Sequence, residues 1–175
     1  MKTSIALLLV LAFAAGCAPQ PDSRLAAVMD RQAIDQLVEG DYPRALDAHD
    51  WDAYAATFTE DGELSLGQQT AHGRAEIKKL VGALPNEKIN HVISNLSYRI
   101  QGDTATGGAY WQDIGLVNGA PGIAVAGHYD DTLRKVNGEW KFTKRAIVID
   151  FARPSTDATS AASPSESPEP APSTK

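Results

Sequence analysis

Asp47 and His91 are the two residues of this chain that are best suited, by type and position, to move a proton. Asp47 lies toward the end of a predicted helix, and His91 opens the first long predicted strand. A carboxylate that accepts a proton from one imidazole nitrogen fixes the tautomer of the ring and raises the basicity of the other nitrogen. Such a pair can remove a proton next to an electron-withdrawing group and return it to a leaving oxygen, as an elimination or isomerisation requires.

Each of these residues also has a plainer interpretation when it is taken alone. Asp47 could be a capping acid in solvent, and His91 could be a packed or rim residue of its strand. An acid is, however, unfavourable at the negative end of a helix dipole. A partly buried carboxylate needs a compensating partner, and a histidine is a natural one. The sequence therefore favours a pocket in which Asp47 meets His91.

Strand alternation predicts which side chains accompany His91. Successive side chains of a strand point to opposite faces of the sheet. On a regular strand one face would carry His91, Ile93 and Asn95, and the other would carry Val92, Leu96, Tyr98 and Ile100.

The remaining histidines do not form a recognisable metal site. His49, His72 and His128 lack the HxH or HExxH spacing that is typical of zinc sites. We therefore expect neither a metal ion nor another cofactor. Arg134 and Arg145 lie in the last two predicted strands, where they could face a carbonyl or carboxylate group, although a surface or salt-bridging role is favoured.

Three helical segments are predicted in the first half of the chain. The first carries apolar residues at helical spacing, but Gly40 and Pro43 interrupt it, so we expect a kink or a restart just before Tyr42. A second helix begins near Asp50, which is a good N-cap, and presents an aromatic face. A third helix is predicted over residues 74–84.

The second half of the chain changes character. Four runs rich in β-branched and aromatic residues follow one another at close spacing, which is typical of a meander of antiparallel strands. These runs cover residues 89–100, 104–116, 123–134 and 139–151. Helices followed by such a meander predict an α+β fold, in which three N-terminal helices pack on one face of a strongly curved antiparallel sheet.

The chain begins with the features of an export signal. Lys2 is followed by an unbroken apolar run over residues 5–15, which is too short to cross a bilayer as a helix. Small residues then precede Cys17 in an arrangement that resembles a bacterial lipobox. Residues 1–16 are therefore predicted to be a signal peptide and Cys17 to be lipidated. The alternative is an ordinary signal peptide that leaves Cys17 as a free thiol.

Lipidation would anchor a water-soluble domain to the cell envelope through its N-terminal lipid. Residues 17–23 would form the tether. Ala18 after the cysteine resembles the pattern of Gram-negative lipoproteins on the periplasmic face of the outer membrane. At the other end, residues 153–175 are rich in Pro, Ser and Thr and have no large apolar side chain, so we expect a disordered tail.

The charge of the chain argues against one class of partner. The formal net charge is −6, and no cluster of Lys and Arg occurs along the sequence. Proteins that bind nucleic acids present a basic patch or stripe. We therefore expect no nucleic-acid partner.

Several stretches, taken in order, resemble the SnoaL-like branch of the nuclear transport factor 2-like proteins, which have a cystatin-like fold. They are AIDQL, the Tyr42 and Asp47 pair, DWDAYAATFTEDGEL, NHVISNLSY and YDDTLRKVNGEWKFTKR. We assign residues 24–152 to one such domain. The family includes scytalone dehydratase, bile acid 7α-dehydratase and hexachlorocyclohexane dehydrochlorinase. The resemblance implies a cone of helices and curved sheet, and assembly into a homodimer or homotrimer.

The resemblance also implies roles for individual residues. In the lyases of the family, an acid at a helix end and a histidine at the start of the following strand form the catalytic dyad, and Asp47 and His91 match those positions. Tyr42 matches a tyrosine that helps to hold the substrate oxygen. Asp113 matches an acid on the next strand that faces the pocket. Trp111, on the same strand, is a candidate for the pocket wall and for substrate contact.

These observations favour a cofactor-independent lyase or isomerase of the dehydratase type, acting on a small, apolar, oxygenated ring compound. Tyr42 would orient the substrate, His91 would act as base and then as acid, and Asp47 would orient His91. The alternative is a lipoprotein of the same fold that binds a ligand or a partner without chemistry. A structural envelope protein is a third hypothesis. Pro43 departs from the family pattern and is the residue most able to disturb the geometry.

Overall fold

The structure is a computed structural model that describes residues 23–85 and 88–152. The predicted signal peptide, the lipidation site Cys17 and all but the last residue of the predicted tether lie outside the described residues. The predicted tail of residues 153–175 also lies outside them. Within the described part of the chain, no helix is both long enough and apolar enough to cross a membrane.

A long helical run opens the described part of the chain. It consists of α1 (Ser23–Asp35), a π-helical segment (Gln36–Asp41) and α2 (Tyr42–Asp47). Two separate helices follow, α3 (Trp51–Ala56) and α4 (Gly73–Gly82). Asp50 caps α3 as expected, since its side chain accepts a hydrogen bond of 3.0 Å from the backbone N–H of Ala53.

The π-helical segment lies where Gly40 and Pro43 predict an interruption. Pro43 is the second residue of α2, and in the first turn of a helix its missing N–H costs little. Asp41, just before α2, keeps helical dihedral angles, with φ at −70° and ψ at −46°. The interruption is therefore a wider helical turn rather than an end of the helix, and Tyr42 and Asp47 share the uninterrupted segment α2.

Six strands form one sheet in the described residues. They are β1 (Phe58–Leu66), β2 (Gln69–His72), β3 (Asn90–Gln101), β4 (Thr104–Val117), β5 (Ala120–Val136) and β6 (Glu139–Ala152). Their spatial order is β2-β1-β6-β5-β4-β3, and β3 to β6 form the predicted antiparallel meander. The expectation of a wholly antiparallel sheet is wrong, because β1 pairs with β6 in parallel. This pairing joins two strands that are distant in sequence, so local sequence patterns do not predict it.

Helices and sheet enclose a core of aromatic and aliphatic side chains. The ring of Tyr42 lies at its centre, with ring centroids 4.8 Å from Tyr54 and 5.6 Å from Phe142. Ile34 and Val38 contribute from the first helical run and are fully buried. The predicted α+β class, with helices packed against a sheet, is confirmed.

A β-bulge in β3 changes which side chains accompany His91. The register with β4 shifts around Asn95, whose φ is 55°. The extra residue reverses the alternation, so Leu96 packs against the core as Ile93 does. Val92, by contrast, is 43% exposed. The predicted single face is therefore wrong, because a bulge separates Val92 from Leu96, Tyr98 and Ile100.

Candidate active site

Asp47 is the last residue of α2, and its carboxylate reaches the start of β3. Both carboxylate oxygens accept hydrogen bonds of 3.2 Å from the backbone N–H of His91. Oδ1 of Asp47 is also 2.5 Å from ring Nδ1 of His91. The structure thus brings together the two residues that the sequence suggests as a pair.

Asp113 lies on the other side of the histidine ring. His91 and Asp113 are direct partners on the antiparallel strands β3 and β4, so their side chains share one face of the sheet. Nε2 of His91 is 3.0 Å from Oδ1 of Asp113. The distance is that of an ion pair, but the two groups are poorly aligned, since Oδ1 makes no well-formed hydrogen bond with the described residues. His91 therefore lies between two carboxylates, one at each ring nitrogen.

Burial and charge shift the pKa of His91 in opposite directions. Only 7% of its side chain is exposed, and this burial lowers the pKa because it disfavours the charged ring. The carboxylates of Asp113 and Asp47 act against burial, and the net pKa of His91 is raised above its usual value. At neutral pH the ring is shifted toward an imidazolium that carries one proton facing each carboxylate.

A cavity of about 330 Å³ opens beside this cluster. His91 and Asp113 belong to its wall, whereas Asp47 contacts the histidine from behind. The rest of the wall is mostly apolar and comprises Tyr42, Leu46, His49, Trp51, Tyr54, Leu64, Leu66, Val81, Leu84, Pro85, Ile89, Trp111, Ala124, Val125, Tyr129, Ile147 and Ile149. The volume falls at the lower end of the range for ligand pockets, roughly 300–1,000 Å³.

Tyr42 is part of the cavity wall, but its side chain has no exposed surface. Its hydroxyl accepts a hydrogen bond of 2.8 Å from the hydroxyl of Tyr54. Burial is the largest influence on its ionisation and raises the pKa of Tyr42. A ligand would reach this hydroxyl only after neighbouring side chains move, so the predicted contact of Tyr42 with substrate stays a prediction.

Trp111 lies on β4, on the same face as Asp113, and is 4% exposed. It lines the cavity, and its ring stacks on Tyr129 with centroids 5.7 Å apart. Among the residues that the structure describes, none accepts a hydrogen bond from its indole N–H. The structure therefore places Trp111 in the pocket wall, where its predicted contact with substrate stays a prediction.

Arg145 forms a buried salt bridge behind the cavity. Its guanidinium is fully buried, with Cζ 4.1 Å from the ring centroid of Tyr42 and 3.9 Å from those of Tyr129 and Phe142. It donates two hydrogen bonds to Asp131, at 2.8 and 2.7 Å. Of the two roles that the sequence favours, surface or salt-bridging, the structure shows the salt bridge, and it is buried rather than exposed.

Tyr129 and Asp131 are residues near the site that sequence reasoning missed. Alternation along β5 places both on the same face as Leu133, which is fully buried. A carboxylate on such a face requires a buried cation or donors. That signal, combined with Arg145 on the last predicted strand, could have identified the ion pair from the sequence.

The arrangement suits proton transfer better than metal binding. In the parts of the chain that the structure describes, no group of three or more His, Cys, Asp or Glu side chains is placed to hold a metal ion. Asp47 and Asp113 approach opposite nitrogens of one imidazole, so their oxygens do not converge on a single point.

The chain is similar to known proteins both in sequence and in fold. A family model described as SnoaL-like domain matches residues 26–146. A comparison with curated proteins gives no significant match. Solved structures, in contrast, include several hundred chains that match.

Three of these structures show the same fold. An NTF2-like protein with a cystatin-like fold from Novosphingobium aromaticivorans is 26% identical, with a TM-score of 0.68 over 79% of this chain and 92% of that one. A candidate scytalone dehydratase from the same organism is 27% identical, with a TM-score of 0.63 over 73% and 89%. LinA, whose type 2 form is described as a hexachlorocyclohexane dehydrochlorinase, is 22% identical, with a TM-score of 0.69 over 77% and 95%. At that identity LinA supports the fold alone.

Proposed function

The chain belongs to the SnoaL-like domain family, within the nuclear transport factor 2-like superfamily, and on that premise we propose that it is a cofactor-independent lyase or isomerase of the dehydratase type. Its substrate is a small, apolar, oxygenated ring compound. The observation that carries the proposal is the position of His91, between Asp47 and Asp113, in the wall of an apolar cavity.

Asp47 acts on the reaction through His91. Its carboxylate binds both the backbone N–H and ring Nδ1 of the histidine, and these contacts fix the orientation of the ring. Nε2 then faces the cavity side, next to Asp113. A proton-transfer group held in this way contributes roughly 10²–10⁴ to a reaction rate.

Because of Asp113, the proposed order of proton transfers differs from the one expected from the sequence, in which His91 is first the base. Here Asp113 is the base and His91 is the acid. The raised pKa of His91 favours an imidazolium whose Nε2–H faces Asp113. The carboxylate of Asp113 takes a proton from the carbon next to the electron-withdrawing group, while Nε2–H of His91 protonates the leaving hydroxyl. A C=C bond forms as the C–H and C–O bonds break, and water departs. Proton transfer from Asp113 back to Nε2, across 3.0 Å, restores the cluster.

The cavity wall determines which molecules can bind. Its aliphatic and aromatic side chains favour an apolar ring, and they exclude the water that would compete with the substrate for the cluster. Two carboxylates and one imidazolium leave the cluster with a formal charge of about −1, so an anionic ligand would be repelled. The proposed substrate is therefore neutral.

The similar structures are consistent with this class of reaction. The candidate scytalone dehydratase from Novosphingobium aromaticivorans is named for an elimination of water. Because a shared fold does not by itself imply a shared reaction, the proposal depends on the geometry around His91 rather than on that name.

We also propose, from the sequence, that the protein is exported and anchored through a lipid on Cys17 at the periplasmic face of the outer membrane, and that it forms a homodimer or homotrimer. Labelled palmitate should be incorporated into the wild-type protein and not into Cys17→Ser. Light scattering of the unlipidated domain should give two or three times the mass of one chain. Unlabelled wild-type protein, or a monomeric mass, would contradict the respective proposal.

A panel of bicyclic β-hydroxy ketones tests the proposed reaction. Loss of water is followed by the ultraviolet absorbance of the conjugated enone. Wild-type protein should accelerate the reaction of at least one compound, and His91→Gln should lower that rate by about 10²–10⁴. The matched control is His128→Gln, whose histidine lies outside the cavity and should not affect the rate. Equal rates for wild type and His91→Gln, or no turnover of compounds that bind, would favour a binding protein without chemistry.

A further inference from the structure

Three tyrosines belong to the cavity wall, and their hydroxyls are not equivalent. Tyr54 donates its hydroxyl hydrogen to Tyr42, so these two form a pair within the wall. Tyr129 is 2% exposed, and its hydroxyl makes no hydrogen bond with the residues in the ranges 23–85 and 88–152. This hydroxyl is not among the fully enclosed polar atoms without a partner, so the exposed surface of Tyr129 leaves it accessible from the cavity. Tyr42 also keeps its own hydroxyl hydrogen, but the side chains of Tyr42 and Tyr54 have no exposed surface. Tyr129 is therefore the tyrosine whose hydroxyl hydrogen is best placed to reach a molecule in the cavity.

Arg145 favours donation by the hydroxyl of Tyr129. Cζ of Arg145 lies 3.9 Å from the centroid of its ring. A cation over the ring stabilises the negative charge that develops on the phenol oxygen when the hydroxyl donates. Burial is the largest influence and the pKa of Tyr129 is raised well above its usual value; the charge of Arg145 reduces this rise without reversing it. The ion pair with Asp131 keeps the guanidinium in position.

A second donor lies next to the first. The indole ring of Trp111 stacks on Tyr129, and its buried N–H is also without an acceptor in the described residues. Asp113 is near enough for its charge to raise the pKa of Tyr129. The stacked rings of Tyr129 and Trp111 thus form one side of the cavity, with the proton-transfer cluster close by, although the indole N–H itself is fully enclosed. A ligand that accepts a hydrogen bond from Tyr129 and also gives a proton to the cluster needs an acceptor oxygen next to an acidic carbon.

We propose that Tyr129, with Arg145 stacked on its ring, binds the carbonyl oxygen of the substrate and the enolate oxygen that forms when the neighbouring carbon loses its proton. Donors placed where negative charge develops lower the barrier to such a step. The proposal narrows the substrate class to neutral β-hydroxy ketones and related carbonyl compounds. It rests on the proposed function for the reaction, but the donor itself can be tested without turnover.

The probe is 2-tetralone, a bicyclic ketone that has no hydroxyl group to eliminate, labelled with ¹³C at its carbonyl carbon. Infrared spectroscopy of the bound ketone reports the hydrogen bond to its oxygen as a shift of the carbonyl stretch to lower frequency. Tyr129→Phe should abolish most of this shift and weaken binding by about tenfold. Tyr110→Phe is the matched control, because Tyr110 is 54% exposed and lies outside the cavity wall. That variant should match wild type in both measurements.

Two further variants test Arg145 as a positioning residue. Arg145→Met/Asp131→Leu replaces the buried ion pair with apolar side chains, a change that folded proteins often tolerate. It should bind the ketone with a smaller frequency shift. Arg145→Lys keeps the positive charge but not the planar group stacked on the ring, so it should also reduce the frequency shift. This variant provides the test if the double variant does not fold. A wild-type shift in whichever of these variants folds would overturn the role of Arg145.

The remaining outcomes separate this inference from the proposed reaction. If the wild type shows the shift but dehydrates no compound of the panel, the donor stands and the reaction fails. A wild-type shift and affinity in Tyr129→Phe would overturn the inference, as would a wild-type protein that does not bind the ketone.

Discussion

The protein contains two histidine–aspartate pairs of similar geometry in opposite surroundings. Nδ1 of His91 is 2.5 Å from Asp47 beneath the helices, and Nδ1 of His128 is 2.8 Å from Asp150 in a part of the sheet outside the cavity. The side chain of His91 is 7% exposed and that of His128 is 36% exposed. The inner pair also has Asp113 at its second nitrogen and an apolar cavity beside it. The two pairs therefore have similar His–Asp distances and differ in enclosure, and the proposed catalytic role is assigned to the enclosed pair.

The pKa values of the two histidines are raised for different reasons. For His128 the largest cause is the hydrogen bond with Asp150, and burial opposes it only as a smaller effect. For His91 burial is the largest single effect and lowers the pKa, and the contributions of Asp113 and Asp47 together outweigh it. Because these opposing effects nearly all come from the surroundings of the cavity, the charge of His91, more than that of His128, depends on what else occupies the cavity.

The largest expected effect concerns the buried ion pair behind the cavity. Arg145→Met leaves Asp131 buried without its cation and should lower the free energy of unfolding by about 3–5 kcal/mol. Arg134→Met, which removes an exposed contact with Asp61, should change it little. Urea denaturation of both variants measures the difference. Equal free energies of unfolding for the two variants would mean that burial does not make the Arg145 ion pair more important for stability than the exposed Arg134 contact.

The second prediction compares the aspartates of the two histidine pairs. Asp47→Asn removes the carboxylate that orients His91 and should lower kcat for dehydration about a hundredfold, or about 2.7 kcal/mol of barrier. Asp150→Asn should leave kcat within about twofold of wild type, because His128 has no cavity beside it in which a substrate could bind. Steady-state kinetics on any compound turned over by wild type provides the measurement. Similar decreases of kcat in Asp47→Asn and Asp150→Asn would contradict the claim that only the enclosed pair takes part in the reaction.

The third prediction concerns the ionisation of the two histidines, which NMR of the imidazole ring follows against pH. Asp113→Asn should lower the pKa of His91 and leave that of His128 unchanged, because the carboxylate of Asp113 favours the charged ring of His91. Asp150→Asn should do the reverse. An unchanged pKa of His91 in Asp113→Asn would mean that the 3.0 Å contact does not influence the ring.

The smallest expected effect is on the pH dependence of stability. The folded-state pKa of His91 lies above its unfolded value of about 6.5, so protonation of the ring stabilises the fold. This contribution is fully present below about pH 6.5 and is lost as the pH rises through the raised folded pKa. The free energy of unfolding of wild type should therefore fall over this window more than that of His91→Gln. His128 has the same sign and is present in both proteins, so the difference isolates His91. A steeper fall in His91→Gln would contradict the assigned direction.

Local patterns in the sequence were enough for the fold class, whereas the pairing of Asp47 with His91 was predicted from the chemistry of the two groups and from the family resemblance. Helical spacing, the cap at Asp50 and the close run of strands are all short-range signals. Two features had no such signal: the parallel pairing of β1 with β6 and the bulge at Asn95. The burial of Arg145 against Asp131 had a signal in the alternation of β5, but it was missed. The bulge matters most for the core, because one inserted residue reverses every later side chain of β3.

Pro43 was expected to threaten the geometry between Tyr42 and Asp47, and the structure shows why it does not. The preceding π-helical segment absorbs the interruption, and the proline falls within the first turn of α2. The carboxylate of Asp47 still reaches both the backbone and the ring of His91. What the sequence alone does not determine is the position of Tyr42, whose hydroxyl pairs with Tyr54 inside the wall.

Deuterium exchange of a bound ketone tests the central claim most directly. In heavy water, proton abstraction next to the carbonyl of 2-tetralone appears as loss of the corresponding ¹H NMR signal, without any need for a leaving group. The inner double variant His91→Gln/Asp113→Asn should exchange no faster than buffer, and the matched outer double variant His128→Gln/Asp150→Asn should exchange at the wild-type rate. Exchange at the wild-type rate in the inner double variant would contradict the claim that the enclosed cluster transfers the proton.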